Sequence, residues 1–239
     1  MDYAKLLTQG VGAWLHFENA CGRSELFSEK YMASPIGQIL YARSGNRVHA
    51  EVKHPVLAKL AKGPGRRPEI DFAVYDQHPK VSIAVESKWI GSTTPSVKSI
   101  LWDLIRLEMI AHHEKSRSFF VLGGRRSDLD KLFRISGFVS LKSEYRRRPI
   151  LRHDNNVRHR VFLSPVDGFR KPLLKDLFKS FQGFDFPEYI VTRRSAPFPS
   201  DQKSRRFQVY TWEVFADGRK NTFKPKNSRH YQISQTPSL

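Results

Sequence analysis

Two apolar runs in the first half of the chain predict a pair of β-strands joined by a tight turn. They occupy residues 68–74 and 81–89, are rich in β-branched side chains, and are separated by a short polar segment. An antiparallel hairpin about this turn places Asp71 opposite Glu86, with their Cβ atoms about 5 Å apart. Lys88 lies two residues beyond Glu86 and therefore points to the same face of the sheet. The pattern predicts that two carboxylates and an ammonium group converge on one hairpin.

These charged residues lie in strands whose pattern is typical of burial on both faces. One face of the two strands is apolar, and it consists of Phe72, Val74, Val81, Ile83 and Val85. Ala73, Ala84 and Trp89 add apolar surface elsewhere. A strand that is covered on both sides rarely carries charged side chains unless they are paired or bind a ligand. A structural ion-pair cluster is the alternative to a functional site, and the apolar surroundings favour the functional interpretation.

The order and spacing of these residues resemble the PD-(D/E)xK nuclease superfamily, which has the restriction-endonuclease-like fold. Residues 69–71 are similar to its acidic-strand motif, and residues 86–88 are similar to its E-x-K motif. The resemblance implies that Asp71, Glu86 and Lys88 are catalytic. It also implies that Asp71 and Glu86 bind Mg²⁺, for which Mn²⁺ is expected to substitute, and that Lys88 positions or activates the attacking water. Asp71 is preferred over the neighbouring acid at position 69 because the hairpin register places it across from Glu86.

The hydrolysis of a phosphodiester explains why such a site needs these residue types. Mg²⁺ prefers oxygen ligands and keeps several waters, so two carboxylates and a substrate phosphate suffice to hold it. The bound ion polarises the phosphoryl oxygen and acidifies water, and a second ion can stabilise the leaving oxygen. The Lys88 ammonium group can stabilise developing negative charge, or Lys88 can lose its proton if burial lowers its pKa. The sequence leaves both roles of Lys88 open.

A third metal-binding carboxylate is expected from an N-terminal helix, as the resemblance implies. The candidates are Glu18, Glu25 and Glu29. Glu29 is preferred because it leads an apolar helical run toward Leu40, and Glu18 is the reserve. The alternative for Glu29 is an ordinary solvated glutamate on a helix face.

A long amphipathic helix is predicted behind the hairpin. Thr94 suits the N-cap, Pro95 suits the first helical position, and an apolar stripe continues to Ile110. Asp103 and Arg106 lie three residues apart on one face of this helix. They are expected to form an intrahelical ion pair worth a few tenths of a kcal/mol. The alternative is that Arg106 leans toward the acidic residues as an electropositive support.

The order of the predicted elements indicates the fold class. A buried strand that ends in a glycine pair, residues 118–124, follows the long helix. Helix, strands, helix and strand in this order fit the αβββαβ core of the restriction-endonuclease-like fold, an α/β fold with a mixed central sheet flanked by helices. A chain of 239 residues can bury a sizeable core, so residues 1–216 are predicted to form a single domain with a basic C-terminal half. Residues 217–239 are poor in apolar side chains and are predicted to form a mobile basic tail.

Positive charge is the second strong signal in the sequence. Lys and Arg number 41 against 23 Asp and Glu, a formal net charge of +18. The excess is uneven, since residues 1–120 carry 16 basic and 12 acidic residues whereas residues 121–239 carry 25 and 11. The second half is therefore the expected footprint on a polyanion, with phosphate contacts that give affinity without reading sequence. The arginines expected to contact nucleic acid are Arg125, Arg126, Arg146, Arg147, Arg148, Arg193, Arg194, Arg205 and Arg206.

These observations predict a Mg²⁺-dependent endonuclease that hydrolyses DNA in restriction, phage defence or mobile-element processing. A non-catalytic basic nucleic-acid-binding module is the alternative, as is a nuclease that acts on RNA or branched DNA. The N-terminus lacks the pattern of a signal peptide, and no apolar run is long enough to span a membrane. The single cysteine, Cys21, allows no internal disulfide and no cysteine-based zinc cluster. We therefore expect a cytoplasmic protein with DNA and no membrane as its partner, and with a homodimer or a partner subunit as candidate assemblies.

Overall fold

A mixed seven-stranded sheet runs through the centre of this α/β protein, with helices on both sides. The computed structural model describes residues 1–59, 68–91, 97–135, 151, 155–164, 171–179, 181–200, 206–217, 221–229 and 231. The strands are β1 (Val48–Lys53), β2 (Glu69–Tyr75), β3 (Val81–Ile90), β4 (Arg117–Arg125), β5 (Arg158–Phe162), β6 (Phe186–Pro187), β7 (Tyr189–Arg194), β8 (Phe207–Phe215) and β9 (Thr222–Phe223). The order in the main sheet is β1-β2-β3-β4-β8-β7-β5, and β6 and β9 form a separate pair. Strands β3 and β4 are parallel, and the other neighbours are antiparallel.

The helices lie before, between and after these strands. They are α1 (Tyr3–Ala20), α2 (Glu29–Ser44), α3 (Pro55–Ala58), α4 (Val97–Glu114), α5 (Arg126–Phe133) and α6 (Lys171–Phe178). Short 3₁₀ helices occur at Ser24–Leu26, Gly45–Arg47 and Pro225–Asn227. Among the described residues, no helix combines the length and the hydrophobicity that a membrane crossing requires.

Local sequence signals define both ends of α2 and the start of α1. The Asp2 carboxylate accepts a hydrogen bond from the N–H of Lys5 at 3.0 Å and caps α1. The Ser28 hydroxyl accepts one from the N–H of Tyr31 at 3.2 Å and caps α2. Gly45 follows the last residue of α2 with a φ of 60°, a conformation that glycine adopts without strain. The Ser28 cap makes the candidate ligand Glu29 the first residue of α2.

Helix α4 is the helix predicted behind the hairpin, and it connects the parallel strands β3 and β4. Leu101, Leu104 and Ile105 of its apolar stripe are buried. Its expected N-terminal residues, Thr94 and Pro95, lie outside the described residues. A crossover helix of this kind is the usual link between parallel neighbours, because the end of the first strand and the start of the second lie at opposite ends of the pair.

Two apolar layers cover the sheet, one on each face. The layer beneath α1 and α2 includes Phe72 and Val85. The layer beneath α4 includes Ala73 and Ala84. Successive residues of the hairpin therefore face opposite layers, as the period of two in a strand requires. The prediction that this hairpin is covered on both faces is confirmed.

The register of the hairpin is the one that the sequence pattern predicts. Phe72 pairs with Val85, and the same register sets Asp71 opposite Glu86. The regular ladder begins at Phe72, so Asp71 lies just beyond the last paired position. The two strands separate at this point, and the separation gives the Asp71 side chain access to β3.

The segment that was expected to be a mobile tail packs on the domain where the structure describes it. Phe223 of β9 pairs with Phe186 of β6. Tyr231 is fully buried, its ring lies 5.1 Å from that of Phe178, and its hydroxyl donates to the carbonyl oxygen of Leu163. The described residues after position 217 thus differ from the expected tail. A few aromatic side chains anchor a segment whose average composition is polar.

Candidate active site

The Asp71 carboxylate binds β3 just beyond the last paired residues of β2 and β3, where a backbone partner would otherwise lie. Its carboxylate accepts two hydrogen bonds from Ser87, one from the backbone N–H at 2.7 Å and one from the hydroxyl at 2.8 Å. Asp71 remains partly exposed to solvent. The contact of Asp71 with strand β3 is made to Ser87, the neighbour of the Glu86 that was expected to share its site.

A groove of about 520 Å³ opens beside Asp71. Its walls come from α2, β1, β2 and one residue of β3, and they consist of Glu29, Lys30, Ala33, Ala50, Glu51, Pro68, Glu69, Ile70, Asp71, Phe72 and Ser87. Another depression, of about 610 Å³, lies around β9 and shares no residue with this groove. We consider the smaller groove the relevant one because Asp71 and Glu29 both reach it.

Glu86 is buried, with 1% of its surface exposed, and it faces Arg106 of α4. The Nη2 atom of Arg106 lies 2.8 Å from Oε1 of Glu86. The contact is ionic, because this oxygen completes no hydrogen bond with any described residue. Burial raises the pKa of Glu86 well above its ordinary value, and the charge of Arg106 opposes that rise. The Glu86 carboxylate is therefore desolvated and held by a single cation.

The Lys88 ammonium group is held between two helices. Nζ lies 3.2 Å from Oε1 of Glu29 at the start of α2 and 3.2 Å from Oδ2 of Asp103 on α4. It also donates to the carbonyl oxygen of Ser87 at 3.2 Å. Burial disfavours the charged form, but the carboxylates of Asp103, Glu29 and Asp71 outweigh it and raise the pKa of Lys88 above its usual range. Of the two roles considered for Lys88, this arrangement favours the charged ammonium.

Arg106 of α4 makes both of the contacts that were considered for it, one with Asp103 and one with the acidic residues. Nη1 of Arg106 lies 3.3 Å from Oδ1 of Asp103, so the intrahelical pair forms. Arg106 also reaches Glu86, and it donates to the carbonyl oxygen of Glu69, so it supports the acidic residues as well. Burial raises the pKa of Asp103 to about 6, against the opposing charges of Lys88 and Arg106. Asp103 was expected only as a partner of Arg106, and the structure adds it to the site.

The three candidate third carboxylates differ in what they contact. Glu29 touches Lys88 and lines the groove. Glu18 is occupied, since its carboxylate receives two hydrogen bonds of 2.6 Å from Arg23 and one from the Tyr31 hydroxyl. Those bonds, with that from Arg23 the largest effect, lower the pKa of Glu18. Glu25 is exposed, and Oε1 of this residue is 3.8 Å from Nη2 of an arginine at the end of β4. Glu29 is the candidate that the structure places beside the trio of Asp71, Glu86 and Lys88.

The donor set of this cluster suits a hard divalent cation. Asp71, Glu86 and Glu29 offer only carboxylate oxygens, which Mg²⁺ prefers, but among the described residues these oxygens do not form a group that lies within 4.8 Å of one another. The buried Oε1 of Glu86 has no hydrogen bond to a described residue and retains the capacity to bind a ligand. A cation at that oxygen would share Glu86 with Arg106, which lies 2.8 Å away.

The arginines expected to bind nucleic acid fall into several environments. Arg125 and Arg126 lie where β4 passes into α5, beside Arg206 at the start of β8. Arg193 is partly exposed and pairs with Glu213. Arg194 has 4% of its surface exposed and donates to Asn155, so it is a buried structural residue rather than the expected surface contact. The remaining expected contacts, Arg146, Arg147, Arg148 and Arg205, lie outside the described residues.

A second group of side chains of the kinds that bind metals lies near the start of β3. Glu114 Oε1 is 2.7 Å from His113 Nδ1 and 3.0 Å from His54 Nε2, while Oε2 accepts a bond from the N–H of Val81 at 3.2 Å. One atom from each of the three side chains lies within 4.8 Å of the others, so they could hold a metal. However, Nδ1 of His54 accepts a bond from the N–H of Val56 at 3.3 Å, which leaves the proton on Nε2 to donate to Glu114. Metal-bound histidines normally donate from the second nitrogen, so we interpret this group as a hydrogen-bonded clamp.

Fold and site together define the class of protein. It is an α/β protein with a buried cluster of two acids, a lysine and an arginine, on a central hairpin and the helix behind it. Comparisons with the models of known families, with curated proteins and with solved structures found no match to this chain.

Proposed function

We propose that this chain is a Mg²⁺-dependent endonuclease with a restriction-endonuclease-like core, acting on DNA. The observation that carries the proposal is the charged cluster on β3 and α4. Glu86 and Asp103 are 1% and 4% exposed, and burial raises the pKa of both carboxyl groups. Desolvating such ions costs several kcal/mol each and adds little net stability even when they are paired. Charged groups whose burial costs this much free energy, beside an open groove, are typical of an active site.

The proposed roles follow from the contacts of each side chain. Asp71 and Glu86 would hold Mg²⁺, with Glu29 as the third carboxylate, and the ion would polarise the scissile phosphate and acidify water. Lys88 remains an ammonium and stabilises negative charge that develops on the phosphate oxygens. Asp103 holds Lys88 from α4, and Ser87 orients the Asp71 carboxylate. Each group that acts on the substrate is thus positioned by a second one.

The substrate class follows from the charge. The net charge of +18 favours a polyanion, and phosphate contacts from arginines supply affinity at any sequence. DNA is the proposed substrate, and RNA or branched DNA are the alternatives within the same chemistry. A cytoplasmic location, a homodimeric or larger assembly, and a role in restriction, phage defence or mobile-element processing belong to the same proposal.

A cleavage assay tests the proposal. Plasmid, linear duplex and single-stranded substrates are incubated with the protein in Mg²⁺, Mn²⁺, Ca²⁺ or chelator. We expect cleavage in Mg²⁺ and Mn²⁺, and none in chelator. The matched variants are Glu86→Gln and Asp76→Asn, because both replace a carboxylate by an amide on the same hairpin. Loss of cleavage in the first variant alone supports the proposal, and equal activity of the two variants removes it.

A non-catalytic nucleic-acid-binding module is the second candidate function, and the contacts of the trio favour it. Asp71 is engaged by Ser87, Glu86 by Arg106, and Lys88 by Asp103. A closed network of this kind can be structural. If it is, the protein binds nucleic acid but cleaves none of the substrates in any metal, and Glu86→Gln changes neither binding nor cleavage.

A further inference from the structure

An exposed face of the central sheet carries arginines stacked on aromatic rings. The register sets Arg158 of β5 beside Arg193 of β7, and Arg160 of β5 one row further along. Tyr189 of β7 and Phe215 of β8 lie on the same face, at alternate positions of their strands. These five residues define a surface that we call the arginine face.

The arginine face is open to solvent, whereas the opposite side of the same strands is buried. The Arg158 and Arg193 side chains are 57% and 40% exposed. Val161 of β5 and Ile190 of β7, which point the other way, are 1% and 0% exposed. The alternation along β5 shows that this edge strand presents one face to the core and the other to solvent, while Val191 of β7, on the side of the arginines, is 3% exposed.

The aromatic rings hold the guanidinium groups against the sheet. The guanidinium carbons of Arg158 and Arg193 lie 4.3 Å and 5.5 Å from the ring centroid of Phe215. That of Arg160 lies 5.2 Å from the ring centroid of Tyr189. Because the stacked guanidinium groups are already ordered, they lose less side-chain entropy when a partner binds. Each guanidinium then offers hydrogen-bond donors at its edge and a flat outer surface.

Positive charge exceeds negative charge on and beside this face. Glu213, which is 5% exposed in its side chain, receives Arg193 at 2.6 Å and Arg117 at 2.7 Å. Asp217 pairs with Arg158 at 2.7 Å. Two carboxylates thus face four arginines once Arg160 is included. The surplus is cationic and points to solvent, so the complementary partner is an anion.

We propose that the arginine face binds a single-stranded polynucleotide. Phosphates would bind to the edges of the guanidinium groups of Arg158 and Arg160. Unpaired bases would stack on the guanidinium planes and on the exposed part of the Tyr189 ring. A duplex keeps its bases stacked inside and can use only the charge. A membrane surface would need a continuous apolar face, whereas here the apolar rings lie beneath the arginines. This inference goes beyond the proposed nuclease and stands whether or not the acidic cluster is catalytic.

The arginine face lies on the same side of the sheet as α1 and α2. Residues of β2 and β3 that point to this side, Phe72 and Val85, belong to the layer beneath those helices. Strand β7 is three positions from β3 in the sheet, which is about 14 Å at ordinary strand spacing. Glu86 itself faces Arg106 of α4, on the opposite side of the sheet.

Binding without cleavage tests the inference. Labelled 12-nucleotide DNA, RNA and duplex DNA of one sequence are titrated by fluorescence anisotropy in chelator. The test variant is Arg158→Glu/Arg160→Glu, and the milder Arg160→Gln retains the fold if the double reversal does not. The matched control is Arg43→Glu/Arg47→Glu, which makes the same charge change on exposed residues of α2 and the 3₁₀ helix that follows it. Thermal melting establishes that each variant is folded.

The double reversal is expected to weaken single-strand binding at least about tenfold and to make the slope of log affinity against log salt less negative by about 1.4, or two phosphates at about 0.7 each. Duplex binding is expected to weaken less than single-strand binding, because a duplex loses only the contribution of charge. The control variant is expected to change single-strand binding by less than about threefold. DNA and RNA arms show which polynucleotide is preferred. Equal loss in the control, or unchanged single-strand affinity in folded test variants, would overturn the inference. Glu86→Gln is expected to retain the binding, which separates this result from failure of the proposed nuclease.

Discussion

Two regions of the central sheet treat their charged side chains in opposite ways. On β3 and α4, Glu86 and Asp103 are 1% and 4% exposed and are locked to cations. On β5 and β7, the side chains of Arg158 and Arg193 are 57% and 40% exposed. Burial of an ion costs several kcal/mol even when it is paired, whereas an exposed ion pair contributes about 0–1 kcal/mol. The burial of these charged groups therefore needs an explanation, whereas the exposure of the arginines needs none.

The difference arises from what covers each part of the sheet. Helices α2 and α4 pack on the two faces of β3, so most side chains in the paired part of the hairpin enter an apolar layer. The outer strands β5 and β7 have one such layer and one solvated face. Preorganised charges in a dry site act strongly on a substrate, and solvated charges act mainly through number and salt dependence.

The largest effect is expected from Glu86→Gln. The amide has nearly the shape of the acid but is a poor Mg²⁺ ligand, so we expect cleavage to fall about 10³-fold or more, or about 4 kcal/mol. The melting temperature is expected to fall, because the variant leaves the largely buried Arg106 guanidinium without the Glu86 carboxylate. Asp76→Asn is the matched control in both cleavage and melting assays. A variant that cuts at a near wild-type rate would show that the buried carboxylate has only a structural role.

The next effect concerns Lys88→Ala, which is expected to reduce cleavage about 10²- to 10³-fold by removing a fixed cation from the phosphate. It also leaves the buried Asp103 carboxylate with Arg106 as its remaining cation, so the free energy of unfolding is expected to fall by about 2 kcal/mol. The double variant Lys88→Ala/Asp103→Asn removes both charges, and we expect it to regain most of that stability but none of the activity.

Denaturant titration and initial cleavage rates measure the two consequences separately. Lys80→Ala, in the turn of the same hairpin, is the control for loss of a lysine. The buried-network interpretation is wrong if the double variant is no more stable than Lys88→Ala alone.

The arginines of the second half of the chain are expected to act through salt-dependent binding. With about six phosphates contacted, the slope of log affinity for duplex DNA against log salt is expected to be about −5. Reversal of Arg146, Arg147 and Arg148 to Glu should make the slope less negative by about 2 to 3, while binding of metal at the acidic cluster is retained. Anisotropy with Ca²⁺ between 50 and 200 mM salt measures the slope. An unchanged slope would place the duplex footprint elsewhere in the chain.

The smallest effect is expected from pH and the clamp on Glu114. Burial lowers the pKa of His54, although Glu114 acts in the opposite direction. The folded state then favours the neutral ring, so this stabilisation is complete above the ordinary histidine pKa of about 6.5 and is lost as the pH falls below it. We expect a lower melting temperature at pH 5.5 than at pH 7.5, and a smaller difference in His54→Gln. The assignment is contradicted if the variant shows the full pH dependence.

Sequence reasoning succeeded where neighbouring residues decide the outcome. The alternation of apolar residues predicted the hairpin register that sets Asp71 opposite Glu86, and the structure has that register. The apolar stripe predicted α4, and Ser28 sets the start of α2 at Glu29. Strand period, helix period and capping act over a few residues, so a single chain reveals them without any knowledge of distant contacts.

The same reasoning could not assign partners that are distant in the chain. Glu18 was held in reserve as a ligand, yet its carboxylate is taken by Arg23 and Tyr31. Arg194 was expected at the surface, and it is buried beside Asn155. In both cases the side-chain type was compatible with either role, and only the position of a partner decided between them.

The sequence by itself determined that two acids and a lysine share one buried hairpin, and that positive charge is concentrated in the second half of the chain. The tertiary structure alone decided that Asp103 and Arg106 join the trio, and that Arg158, Arg160 and Arg193 form one exposed face. The physical reason is the range of the interactions. Local periodicity fixes which face a side chain takes, but the packing of α4 on β3 and the pairing of β5 with β7 bring together residues that no local rule connects.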